Sequence, residues 1–111
     1  MNPPVLIEKW YRITDWILDK CERFPKHTRF GLAGRIAALS IDTLELFTEA
    51  SYSKEKRSTL ICANKNLEKL RILFRLSFDR RYINMAQYEF ISTELNNAGK
   101  MCGGWIKSCN E

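Results

Sequence analysis

Three observations predict an all-α fold for this chain of 111 residues. Apolar residues recur three and four apart in four successive stretches, no stretch alternates with period two, and the breaks are short. Seams near a 3.5-residue repeat joined by short loops specify an antiparallel up-down-up-down four-helix bundle. A chain of this length fits one domain, residues 1–111, and buries roughly two-thirds of its unfolded surface. With 45% hydrophobic and 28% charged residues it is too apolar for disorder. Helices of about 20–26 residues at about 1.5 Å rise make a bundle roughly 30–40 Å long.

The first helix is predicted over about residues 5–23, behind Pro3-Pro4, a pair suited to a helix start. Leu6, Trp10, Ile13, Ile17 and Phe24 form its stripe. Phe24-Pro25 ends it, because a residue before proline is pushed out of the α region. The second spans about residues 28–50, with Leu32, Ile36, Leu39, Thr43, Leu46 and Ala50 as its seam. Gly31 and Gly34 weaken its first turns. Asp42, Glu45 and Glu49 form an acidic stripe on its other side.

The third helix opens at Ser53-Lys54-Glu55-Lys56, with Ser51 or Ser53 as its N-cap. Its seam is Leu60, Ala63, Leu67, Leu70, Phe74 and Ser77. The fourth follows Asn84, another cap, with Tyr88, Ile91, Leu95, Ala98, Cys102 and Trp105 inward, and Gly103-Gly104 fraying its last turn. At about 100° per residue from Leu60, the third helix's core stripe covers about 220–360°. Ile61, Ile72 and Leu76 fall nearly opposite, among Lys54, Lys65 and Lys69. Val5 and Trp16 also lie off the seam of the first helix. An apolar far side on a bundle helix implies a second buried contact, and hence a homo-oligomer.

The net charge of +5 is concentrated in one segment. Residues 1–52 hold seven basic and seven acidic residues, residues 53–81 nine against three, and residues 82–111 two against three. A local excess of +6 favours polyanions or an acidic protein surface. The candidate nucleic-acid contacts are Lys54, Lys56, Arg57, Lys65, Lys69, Arg71, Arg75, Arg80 and Arg81, then Arg23, Lys26 and Arg29. Arg71 falls close to the core stripe, a position that suits a structural ion pair. The acidic stripe of the second helix offers the third helix of a neighbouring subunit an alternative use for its charge.

Catalytic and cofactor chemistry find no residues to carry them. His27 stands alone in a loop, and no cysteine has ligand spacing to it, so no metal is expected. The glycines fit neither dinucleotide nor P-loop patterns, and no nucleophile–base pair can be nominated. No cofactor and no enzymatic activity are expected. Cys21, Cys62, Cys102 and Cys109 are too scattered for a disulfide framework and read as buried or half-buried thiols of a reducing compartment, most simply the cytoplasm. Neither a signal peptide nor a membrane span is expected.

Further stretches carry a resemblance. They are Glu22-Arg23-Phe24-Pro25-Lys26 with Arg29-Phe30 and Arg35-Ile36, then Glu49-Ala50-Ser51-Tyr52-Ser53. To these add 63–71 through Arg75-Leu76, Gln87-Tyr88-Glu89, and Gly99-Lys100-Met101-Cys102-Gly103-Gly104-Trp105-Ile106-Lys107. Together they resemble the accessory variability determinant (Avd) proteins of diversity-generating retroelements. A sister branch is encoded in intervening sequences of bacterial large-subunit ribosomal RNA genes. The resemblance implies a barrel-shaped homopentamer of four-helix bundles with no active site of its own. It also implies binding of template RNA and cDNA through a basic surface, and association with the element's reverse transcriptase. The alternatives are the ribosomal intervening-sequence type and a helical adaptor that binds only protein.

Overall fold

The computed structural model describes residues 3–109, so Met1, Asn2, Asn110 and Glu111, the ends of the span read as one domain, lie outside the described residues. Four helices carry the fold: α1 (Pro3–Cys21), α2 (Leu32–Tyr52), α3 (Arg57–Asp79) and α4 (Met85–Lys107). A 3-10 turn, Lys26–Thr28, lies between α1 and α2, and there is no strand among the described residues. Helix α2 packs on α1 and α3, α3 packs on α4, and α1 meets α4 along a looser seam. This arrangement places α1 diagonal to α3 and α2 diagonal to α4. The molecule measures 44 × 24 × 19 Å.

The seams predicted for α1, α3 and α4 form the core. All five stripe residues of the first helix and all six of the third are buried. In α4 five are buried, while Tyr88 is half-buried and stacks on Phe78 at 4.8 Å. Asn84 caps α4 as expected: its side chain accepts from the Gln87 amide, and the Gln87 side chain accepts from the Asn84 amide, both at 2.8 Å.

Helix α2 departs from its predicted register. Leu32, Leu39 and Leu46 are only half-buried, and Ala33, Ser40 and Phe47 replace them in the core. The cause is Trp10, whose indole N–H donates to the Ser40 carbonyl at 3.0 Å and whose ring meets Phe47 edge-on at 6.3 Å. A leucine at position 40 would occupy the space in which that indole reaches the backbone. Helix α2 also begins at Leu32 rather than near residue 28. The chain from Pro25 to Gly31 is wound instead into tight turns, with the Thr28 hydroxyl donating to the Pro25 carbonyl at 2.7 Å.

Neither proposed serine caps α3. Ser51 remains inside α2, Ser53 closes it with its amide on the Glu49 carbonyl, and α3 begins only at Arg57. The Ser53 hydroxyl is occupied on the Glu55 carbonyl at 3.0 Å. Gly103-Gly104 does not fray α4, which continues to Lys107. Trp105 is buried against Phe47 and anchors that final turn, outweighing the weak helix propensity of the two glycines.

Candidate nucleic-acid interface

The fold gathers five of the candidate cations at one end of the bundle. Arg23, Lys26 and Arg29 come from the α1–α2 connection, and Arg80 and Arg81 from the α3–α4 connection. All five side chains are exposed. Tyr82 joins the two connections. Its ring lies 5.5 Å from that of Phe24, its hydroxyl shares a hydrogen bond with His27 Nε2 at 3.4 Å, and the Arg80 guanidinium rests over it at 5.9 Å. Phe24 is buried, so this link is tied to the core. The cations therefore project from an anchored surface.

The backbone at this end is specialised. After α3, the Arg81 amide bonds the Phe78 carbonyl and the Tyr82 amide bonds the Ser77 carbonyl, both at 2.9 Å. This is the Schellman closure, in which the residue after the cap adopts the left-handed conformation. Glycine normally fills that position; here it is Arg81, with φ of 63°. Without a glycine as signal, the sequence gives no hint of this turn. Across from it, Gly34 in the first turn of α2 lets the Arg29 carbonyl approach so closely that a Cβ there would collide with it. Arg23 is partly engaged by Asp19, 3.6 Å away. Hydrogen bonding from Lys20, reinforced by the charge of Arg23, holds the Asp19 carboxyl below its ordinary value.

The remaining candidates divide by environment. Lys65, Lys69 and Arg75 stand exposed along α3, beside the exposed Ile61, Ile72 and Leu76, and form no ion pair among the described residues. Arg71 is half-buried, with Nε 3.0 Å from Glu68 and a terminal nitrogen close over Gly99, so it serves the α3–α4 packing. The Lys56 ammonium donates to the carbonyls of Ala50 at 2.8 Å and Ser53 at 2.7 Å, closing the end of α2. Arg57 reaches the Ile106 carbonyl at 3.4 Å, and Lys54 is exposed nearby in sequence. The structure thus separates a loop-end cluster from the α3 row and from cations engaged with the backbone. Tyr82 and His27, absent from the sequence-derived set, are the residues that hold the loop-end cluster together.

Three of the four thiols are buried or half-buried, and Cys62 is exposed. Among the described residues, no three His, Cys, Asp or Glu side chains group as metal ligands would. No described helix is long and apolar enough to cross a membrane.

These features define an all-α bundle that presents clustered positive charge on a framework closed by its own loops. The chain belongs to the bAvd-like family, whose model matches residues 4–109. No curated protein and no solved structure matches it.

Proposed function

We propose that this protein is a non-catalytic accessory factor of a diversity-generating retroelement. It binds template RNA and cDNA and associates with the element's reverse transcriptase in the cytoplasm, supporting mutagenic cDNA synthesis. The observation that carries this reading is the family match over residues 4–109. The clustering of Arg23, Lys26, Arg29, Arg80 and Arg81 at one end supports it, since cations from two connections converge on one exposed surface. In this reading the helices run up-down-up-down, and five bundles form a barrel that repeats the cluster around its rim.

The mechanism is that of a scaffold. Each phosphate neutralised by a lysine or arginine releases condensed counterions, so affinity arises from the field and falls with salt. Lys54, Lys65, Lys69 and Arg75 extend that field along α3, while Lys56, Arg57 and Arg71 shape the surface from their backbone and ion-pair positions. Nothing in the sequence resembles a module that reads base edges, so in this reading RNA shape and the polymerase surface supply selectivity. The test is binding to a structured RNA from about 50 to 300 mM salt, where several released counterions are expected from the log–log slope. Absence of binding at the lowest salt would overturn the reading in favour of a protein-only adaptor.

A further inference from the structure

Phe30 is 95% exposed, more than any other large apolar side chain among the described residues. It precedes Gly31, the N-cap of α2, a position from which an apolar side chain normally packs back onto the fourth residue of the helix. That residue is Arg35, so the ring has no such partner. No other large apolar side chain between Tyr11 and Ile41 is exposed, so the ring stands alone in its stretch of chain. The turn that carries it is nevertheless fixed. The Thr28 amide bonds the Pro25 carbonyl at 2.9 Å, the Arg29 amide that of Lys26 at 3.1 Å, and the Gly31 amide that of Thr28 at 3.0 Å. Thr28 is itself buried, which ties the turn to the core. The ring is therefore displayed at a set place rather than carried on a loose loop.

Charge selects the chemistry of its partner. Residues 19–35 and 79–87, which make this end of the bundle, hold seven lysines and arginines against Asp19, Glu22 and Asp79. Asp19 is already engaged, 3.2 Å from Lys20 and 3.6 Å from Arg23. Lys26 and Arg29 stand exposed on the same turn as the ring. A bare aromatic ring among cations suits a polyanion that carries flat apolar groups, and a nucleic acid is such a polymer. Within a duplex those groups are stacked on one another, so only an unpaired nucleotide can offer the face of its base. We infer that Phe30 stacks on an unpaired base of the bound RNA while Lys26 and Arg29 hold the adjacent phosphates. The inference rests on the RNA-binding role proposed above and narrows it: the segment taken at this end is a loop, bulge or single-stranded end. Every base has a π-face, so the contact favours single strands without reading base edges.

Two RNA probes and two variants test the inference. One probe is a hairpin with an unpaired loop, and the other is the same hairpin with abasic loop nucleotides, which keep the phosphates and lack the bases. Phe30→Ala removes the ring and Phe30→Trp retains a stacking surface, with thermal melting to confirm that both fold. Phe30→Ala should weaken binding of the intact hairpin by about 5- to 150-fold, the range of a lost base–aromatic stack. Its log–log salt slope should match that of the wild type, because no phosphate contact is lost. The abasic hairpin should bind the wild type as weakly as the intact hairpin binds Phe30→Ala, and the two losses should not add. Phe30→Trp should keep the wild-type affinity. Unchanged affinity of Phe30→Ala for the intact hairpin overturns the inference alone, leaving RNA binding in place and the ring to a protein partner. Equal weakening on both hairpins also overturns it, since a displaced turn would act on either probe. A wild type that binds neither RNA at the lowest salt overturns the proposed function, and this inference with it.

Discussion

Trp10 donates its indole N–H to the main-chain carbonyl of Ser40, 3.0 Å away across the α1–α2 interface. Both residues are fully buried, and the Ser40 hydroxyl turns back onto the Ile36 carbonyl at 2.8 Å, leaving no polar group of the pair unused. Trp10→Phe keeps an aromatic ring but removes the donor, and should cost about 1–2 kcal/mol. Ser40→Leu should cost more, about 1–3 kcal/mol with a shift of α2, because a longer side chain fills the approach of the indole. Urea titration reads both: the midpoint falls while the slope is retained for Trp10→Phe.

This contact also explains what the sequence conceals about α2. Leucines at 32, 39 and 46 suggest a seam, but the true stripe replaces them with the small Ala33 and Ser40 and the large Phe47. That choice follows from the partner, since α1 brings a tryptophan where α2 must be thin. The seams of α1, α3 and α4 were legible because their buried residues keep an unbroken three-and-four spacing, even where a small residue such as Ala63 or Ser77 takes an inward position. The candidate cations were legible as residue types but not as a constellation. Only the fold brings Arg23, Lys26 and Arg29 to the same end as Arg80 and Arg81, and Tyr82 carries no sequence signal for its bridging position.

The glycines make a matched pair of predictions. A methyl group at Gly34 would meet the Arg29 carbonyl, a main-chain atom that cannot step aside without moving the loop bearing Lys26 and Arg29. Gly34→Ala should lower stability by about 1–3 kcal/mol and weaken RNA binding through displacement of that loop. A Cβ at Gly103 would meet nothing within 4 Å, inside a helix. Gly103→Ala should raise stability by about 0.5–1 kcal/mol through the lower backbone entropy of the unfolded chain. Thermal melts of the two variants should move in opposite directions.

The thiols should report burial by their reactivity. Removal from water pushes the Cys102 and Cys21 thiols up from 9.0 to about 11, with Glu22 adding a smaller upward push at Cys21. Both therefore remain protonated at mildly alkaline pH, whereas Cys62 is exposed. Iodoacetamide on the native protein should label Cys62 first and Cys102 last, as peptide mass spectrometry would show. The same shifts carry a stability consequence. Between about pH 9 and 11 the unfolded thiols have lost protons that the folded ones retain, so the unfolded state binds fewer protons and stability declines with rising pH. A melting temperature that rises over that interval would contradict the assigned burial.

Arg81 sets stability against binding at one position. Its left-handed backbone closes α3, with the Arg81 amide on the Phe78 carbonyl and the Tyr82 amide on that of Ser77. An arginine in this conformation is less favourable than glycine by about 1–2 kcal/mol, since its Cβ crowds the adjacent carbonyl. Arg81→Gly should therefore keep the closure and stabilise the fold, by somewhat less than that amount because glycine also gains freedom when unfolded. If Arg81 contacts phosphate, the same variant should bind structured RNA more weakly and lower the salt slope by about one released counterion. Arg81→Ala separates the effects, removing the cation while retaining the backbone cost. Loss of RNA affinity in both variants, with a gain in stability only for glycine, identifies a residue kept for its charge against the preference of its turn. Equal RNA affinity in all three proteins would remove Arg81 from the binding surface and leave its conformation without a functional explanation.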